Sequence, residues 1–496
     1  MKHTLKIRLM LILAALAFTG CLDKLPDDAI PDREAIKTLD DADQAVIGIY
    51  AGFKDPALYS GYLTLLPDIQ ADLVQAVEGY SNTYGDTWRW EILSTNREVE
   101  AVYAGLYTII GRCNFFFDSI VELEQSLVDD AQLDKLESLK GEVYFARALC
   151  YSELIKCFCK AYDPATADKE LGVVLISSYY HPERMIRSSL KASYEFVIDD
   201  LEKAVDKIAL EETNNSIYLT KSVANALMAR VYLYMQDWEK ARDYATAVID
   251  DTSLQLSNAS RMISADQSYY QYMWNYDNGT EIIWKIGFLP TSYGGALGRV
   301  FLNYDFVSFK PDYVPARTAL DLYEGNDLRY KTFFAEKTTG YAHGLTWPLL
   351  IKYFGNQEFV AQNILHVCMP KPFRLSEQYL IRAEALCRLE KYGDAAKDIT
   401  TLRTARYSSY GSASLAPENW LEEISKERVR ELFMEGFRLQ DLKRWHTGFE
   451  RKEQKNTVSG GNTLKIEADN PLFVWPIPQS ELDAPGSEIQ PNESNL

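Results

Sequence analysis

The sequence predicts a mainly α-helical chain of stacked helix pairs, interrupted by an irregular, loop-rich lobe that contains short strands. Three observations point there. Apolar residues recur at helical spacing through long stretches on both sides of the middle of the chain. Two distant stretches repeat one another in pattern. Between about 251 and 373 the period shifts to strand-like alternation, punctuated by Gly and Pro. The 496 residues, 47% hydrophobic and 25% charged, can bury a large core, which excludes fibrous and disordered classes. With 71 acidic against 52 basic residues the formal charge is −19, which argues against nucleic acid and against an electrostatic hold on anionic lipid.

The first segment is an address. Lys2, Lys6 and Arg8 flank an apolar run at 9–18, and Thr19 and Gly20 supply the small residues of a cleavage site before Cys21. The run is too short to span a bilayer, so 1–20 is expected to be a secretory signal. Phe18-Thr19-Gly20-Cys21 resembles a bacterial lipobox, which makes Cys21 the expected acylated residue. Each buried CH₂ of such an anchor contributes about 0.8 kcal/mol. Removing the signal takes three cations and no acids, leaving a charge of −22. Residues 22–28 are expected to form an exposed acidic leader. The remaining cysteines, Cys113, Cys150, Cys157, Cys159, Cys368 and Cys387, are expected to be buried free thiols rather than metal ligands or a disulfide framework.

Helices follow. Ala42, Ala45, Val46, Ile49, Tyr50 and Phe53 share one face of a first helix, with Asp40 placed to cap it. Val99, Val102, Tyr103, Leu106, Ile110, Cys113, Phe117 and Ile120 do the same in a second. Further helical patterns cover about 134–159, 188–209, 221–235 and 238–250, and resume at 374–390, 392–406 and 420–445. Residues 229–241 align with 383–395: a small Ala229 or Ala383, a large residue three later, a turn carrying Trp238 or Tyr392, and Ala241 or Ala395 in the next helix. This small/large alternation is that of tetratricopeptide-type repeats, in which Ala lets paired helices approach closely.

Between the helical blocks, Ile282, Trp284, Ile286 and Phe288 alternate as in a strand among many Gly and Pro. A structureless stretch of this length is uncommon, so 251–373 is expected to fold as a second lobe. Leu464-Lys465-Ile466 and Phe473-Val474-Trp475 are expected as short strands, and the tail after Pro476 as non-helical. The expected divisions are 1–20, 21–250, 251–373 and 374–496.

Catalytic signatures are missing: there is no nucleophile elbow, His-Glu-x-x-His, P-loop or dinucleotide fingerprint, and the five His are scattered. No cofactor, metal or catalytic residue is expected. What stands out is aromatic clustering in loops. Tyr80, Tyr84, Trp88 and Trp90 interleave with Asn82, Asp86 and Arg89; Tyr269, Tyr270, Tyr272, Trp274 and Tyr276 crowd together before Asn278; and Tyr293, Tyr304 and Tyr313 come soon after. Rings beside Gly, Asn and Asp can stack on a sugar while polar neighbours bond its hydroxyls. The expected ligand residues are Trp88, Trp90, Trp274, Tyr276 and Tyr293 as platforms, with Tyr84 beside them, and Asn82, Asp86 and Asn278 as hydroxyl partners.

The late block 427–445, Glu-Arg-Val-Arg-Glu-Leu-Phe-Met-Glu-Gly-Phe-Arg-Leu-Gln-Asp-Leu-Lys-Arg-Trp, resembles the corresponding helix of the SusD/RagB family of outer-membrane nutrient-binding lipoproteins of Bacteroidota. Val429, Leu432, Phe433, Gly436 and Phe437 are expected on one helical face, Gly436 permitting a close crossing, and the charged residues as a structural network. Ala146-Arg147-Ala148-Leu149-Cys150-Tyr151, Thr220-Lys221-Ser222-Val223-Ala224 and Ile477-Pro478-Gln479-Ser480-Glu481 are similar to further family motifs, whereas the ending Ile489-Gln490-Pro491-Asn492 departs from the pattern. The resemblance implies four tetratricopeptide-like helix pairs with an irregular ligand-binding lobe. It also implies a lipid-anchored protein of the outer membrane, facing outwards, that captures oligosaccharide without turnover for a SusC-like TonB-dependent barrel. Two alternatives stay open: a peptide-delivery lid of the same family, and a glycoside hydrolase.

Overall fold

A computed structural model describes residues 35–180, 184–342, 344, 346–458 and 465–496. The signal, Cys21 and the acidic leader lie outside the described residues.

The chain starts with α1 (Leu39–Gly52), which Thr38 rather than Asp40 caps: its hydroxyl accepts from the Asp41 amide while the Asp41 carboxylate accepts from the Thr38 amide. Asp40 already lies inside the first turn, so the reciprocal box falls two residues earlier. The short α2 (Tyr62–Gln70) and strand β1 (Val74–Ala76) lead into α3 (Arg97–Ser119) and the long α4 (Asp130–Phe158), with Asn96 and Asp129 accepting from the Val99 and Gln132 amides. Strands β2 (Leu171–Val174) and β3 (Arg187–Ser189) form a small hairpin before α5 (Leu190–Lys207), and α6 (Lys221–Tyr234) and α7 (Trp238–Ile249) complete the first helical block.

In the middle of the chain come α8 (Tyr269–Asn275), β4 (Ile282–Trp284), β5 (Tyr313–Pro315), and the hairpin β6 (Phe334–Thr338) and β7 (Thr346–Leu350). Strand β5 pairs antiparallel with β1, Gln75 opposite Val314, and so ties the lobe to the N-terminal segment. Strand β4 is shorter than the alternation suggests, ending at Trp284, and pairs with β8 (Phe373–Arg374) at the start of α9 (Leu375–Arg388).

Helix α9 continues into α10 (Tyr392–Arg406), α11 (Trp420–Glu431) and α12 (Arg438–Arg444), and the tail adds the two-residue pair β9 (Phe449–Glu450) and β10 (Lys465–Ile466). Consecutive helices pack as an array: α3 on α4, α4 on α5, α6 on α7, α7 on α9, and α9 on α10. The two repeats thus stack on each other, and Ala229, Ala241, Ala383 and Ala395 are all fully buried where the helices meet. The six cysteines among the described residues are free and buried.

Three expectations are corrected. The helix expected over 420–445 breaks after Glu431, because Met434 and Gly436 adopt positive φ (59° and 84°). Val429, Leu432, Phe433, Gly436 and Phe437 therefore do not line one helical face. Asp68 of α2 accepts from the amides of Gly436 (3.0 Å) and Arg438 (2.8 Å), so a carboxylate replaces the helical hydrogen bonds lost at the break. Phe473–Trp475 is no strand: Pro471–Phe473 is a 3₁₀ turn that Asn470 caps. The tail is not wholly irregular either, as Gln479–Leu482 forms one helical turn after Pro478.

Among the described residues four hydrophobic clusters form, the largest in the helical array and the second in the lobe. A buried ionic hub ties the lobe to the helices that follow it. Arg374 reaches Glu281 (2.6 Å) and Glu431 (2.9 Å), Arg406 reaches the same two carboxylates, and Arg329 bonds Asp327, Glu427 and Glu431. Each ion is paired and hydrogen-bonded, as burial demands. The charged residues of the late block are structural, as expected.

Candidate functional site

Three loops meet on one face of the lobe. The Val77 amide donates to the Asp312 carbonyl, the Tyr313 hydroxyl to the Thr83 carbonyl (2.7 Å), the Gly340 amide to the Phe309 carbonyl, and the Tyr341 hydroxyl to the Pro311 carbonyl. Segments 77–91, 302–311 and the tip of the β6–β7 hairpin are thereby fixed to one another.

The 77–91 loop presents a polar cluster. Asn82 Oδ1 accepts from the Tyr80 hydroxyl (3.0 Å) and from Arg89 Nη1 (2.7 Å), and Arg89 Nη2 and Nε reach Asp86 and Glu91. Ser81 donates to Asp312 Oδ1 from both its amide and its hydroxyl. With the carbonyl oxygen of Asn82 engaged twice, its Nδ2 donors make no hydrogen bond among the described residues. Asn82 and Tyr84 both adopt positive φ, which is easy for Asn and costs about 1–2 kcal/mol for Tyr. A Cβ on Gly85 would lie 2.1 Å from Asn82 Oδ1, so any side chain there would push Asn82 and Arg89 out of this arrangement.

Aromatic rings surround this cluster. Tyr80 packs edge-on against buried Tyr313 and Tyr84 against Tyr62. Burial raises the Tyr84 phenol above its ordinary pKa, with Tyr62 adding to the shift. In the 302–311 loop Tyr304 stacks on Phe309 at 4.4 Å, Lys337 lies over the Phe309 ring, and the Tyr304 amide donates to His366 Nε2. Asp305 accepts from the Val307 and Ser308 amides, a turn that leaves Phe306 and Val307 projecting, 55% and 88% exposed. The face thus offers half-buried rings, amide donors and the cations Arg89 and Lys337 over a shallow surface.

The expected ligand residues divide. Asn82, Tyr84 and Asp86 stand on this face. Tyr293 is exposed on a separate turn, where the Gly295 amide donates to Ser60 Oγ. Tyr276 lines a different cavity with Tyr272, and Asn278 is exposed nearby. The expectation that Trp88, Trp90 and Trp274 are stacking platforms is corrected: they are 0%, 8% and 3% exposed. Trp88 donates to the Val74 carbonyl beneath the Arg451 guanidinium, and Trp90 to the Gln70 carbonyl. Trp274 lies between Phe333 and Tyr353 with Lys352 Nζ 4.0 Å from its ring centre. A ring covered on both faces cannot receive a sugar. Among Tyr304 and Tyr313, only Tyr304 keeps surface. Phe306, Phe309 and Lys337 were not singled out, although an apolar Phe306-Val307 pair inside a polar loop is a readable signal.

Among the described residues no group of three or more His, Cys, Asp or Glu is arranged to hold a metal ion, and no helix is long and apolar enough to cross a membrane.

Comparison with known proteins gives a consistent picture. Residues 313–492 match the SusD family profile, and residues 22–233 match a second profile described as starch-binding associating with outer membrane. SusD-like protein P2 of Formosa agariphila is 23% identical over 527 aligned residues, covering 98% of this chain and 99% of its own. Among solved structures, a SusD superfamily protein of Bacteroides thetaiotaomicron is 25% identical with a TM-score of 0.78, covering 92% of this chain and 99% of that one. A SusD-like carbohydrate binding protein of Bacteroides vulgatus shares the fold at 18% identity and a TM-score of 0.75, covering 91% and 97%. Two profiles that together take in most of the sequence, a relative matched nearly end to end and a common fold establish that this chain belongs to the SusD/RagB family.

Proposed function

We propose that the chain is a non-enzymatic carbohydrate-binding protein of the outer membrane, which captures oligosaccharide at the cell surface and hands it to a SusC-like TonB-dependent barrel. The observation that carries this reading is the loop face, in a chain of this family. Shallow half-buried rings beside unspent amide donors suit a polymer whose sugar rings have apolar faces and hydroxyl edges. The starch-binding description of the profile over 22–233 and the carbohydrate-binding relative support the same ligand class. A lipid on Cys21 would hold the acidic body at the membrane without basic residues. Titration of the full chain with oligosaccharides tests the site: Asn82→Ala with Arg89→Ala is expected to weaken binding about tenfold, equivalent to about 1.4 kcal/mol. Unchanged affinity removes the loop face from the account. Purification from native membranes tests the partner, which is expected to travel with the chain as a β-barrel of larger size.

A further inference from the structure

We infer that the chain carries a second carbohydrate pocket, separate from the loop face and selective for neutral sugars; this rests on the carbohydrate reading above. The pocket is a surface cavity of about 560 Å³, within the size range of small-ligand sites. It is built on α8. Ser268 caps that helix, accepting from the Gln271 amide while Gln271 Oε1 accepts from the Ser268 amide. The four-residue spacing then brings Tyr272 and Tyr276 together, with ring centres 4.7 Å apart and planes 24° from parallel. Both rings are half-buried and line the cavity with Gln267, Asn275, Gln357 and Asp266.

Two features suit a sugar. The stacked pair is an aromatic wall, and the hydroxyls of Tyr272 and Tyr276 and the side-chain amides of Gln267 and Asn275 make no hydrogen bond among the described residues, so they are unspent. The wall is also held rigidly. Buried Asp277, directly after Tyr276, accepts from Asn356 Nδ2 (2.8 Å), the Met369 amide (3.0 Å) and Lys371 Nζ (2.5 Å), and Asn356 directly precedes Gln357. Tyr276 and Gln357 are therefore fixed to one anchor from two distant segments. Preorganised polar groups of this kind lower the ordering cost of binding.

The charge of the lining selects the ligand. Asp266 is its one carboxylate and no Lys or Arg lines the cavity, so a uronate or sulfate would face a like charge with no counter-ion. The loop face differs in carrying the cations Arg89 and Lys337, although Arg89 is paired there with Asp86 and Glu91.

The test uses the full chain and calorimetry with maltoheptaose, xylohexaose, mannohexaose, polygalacturonate oligomers and sulfated galactan oligomers. The expected result is two binding events per chain for a neutral oligosaccharide, one of them weakened about tenfold by Tyr272→Ala with Asn275→Ala and untouched by Asn82→Ala with Arg89→Ala. Gln357→Ala, a surface change that leaves α8 intact, is expected to weaken the same event should the double variant fail to fold. One event, lost only with the loop-face variant, overturns the second pocket and leaves the proposed function standing. Binding of the sulfated or uronate oligomers through Tyr272 overturns the selectivity. Absence of binding by every probe overturns the pocket and the carbohydrate reading together.

Discussion

Gly436 and Gly85 matter for different reasons, the first for a left-handed backbone packed against main chain and the second for the side chains that close over it. At φ 84° a side chain on Gly436 would meet the backbone of Leu63 and Thr64 at 3.2 Å, and the left-handed conformation itself costs an L-residue about 1–2 kcal/mol. Gly436→Ala is expected to lower the free energy of unfolding by at least that much, measurable by urea unfolding. Gly85→Ala is expected to spare the fold and displace Asn82 and Arg89, so that circular dichroism is unchanged while oligosaccharide binding falls. Trp88→Ala, in contrast, removes a fully buried ring and is expected to cost about 3–5 kcal/mol of stability. An unfolding midpoint equal to wild type would put that ring at the surface instead. The aromatic residues show how far a sequence reaches here. Loop clusters of Tyr and Trp were readable as a group, but which rings are covered depends on partners such as Arg451 and Lys352, hundreds of residues away or in another segment, that no local spacing reveals.

At the scale of elements, the repeat pairs α6–α7 and α9–α10 were legible because Ala recurs at the crossings, and the structure buries those alanines fully. Ala383→Leu is expected to overpack the crossing and to destabilise by about 1–3 kcal/mol, read from thermal unfolding. The break between α11 and α12 was not legible, since apolar spacing continues through it; it exists because Asp68 from a distant helix receives the freed amides. The segment 473–475 misled for a similar reason. Its apolar alternation comes from rings inserted into two different clusters, Phe473 beside Trp90 and Trp475 beside Phe158, rather than from strand pairing. Acid sensitivity belongs to this scale because one pair staples α9 to α12. Burial alone would raise the Glu384 pKa, but Arg444 (2.5 and 2.6 Å) and the Trp445 indole outweigh it and hold the carboxyl at about 2. A folded value below the ordinary 4.5 means stability that is fully present above that pH and lost as pH falls towards 2. Glu384→Gln is expected to lower stability at neutral pH and to flatten its loss between pH 4.5 and 2, checked by thermal midpoints across that range.

For the molecule as a whole, the hub of Arg329, Arg374 and Arg406 with Glu281, Glu427 and Glu431 fixes the lobe on the helical array, so that loops of little regular structure hold a constant shape. The acidic charge belongs to the solvated surface of a body that the lipobox at Cys21 is expected to tether; Cys21→Ser is expected to move the chain from the membrane fraction to the soluble one. Binding of carbohydrate without turnover is the claim on which the rest depends. The most direct measurement exposes the full chain to an array of neutral and anionic oligosaccharides and recovers whatever is retained for mass spectrometry. Retention of an oligosaccharide at its original length, lost on replacing Asn82 and Arg89, is the result this account predicts; no retention of any glycan, or recovery of shortened products, would contradict it.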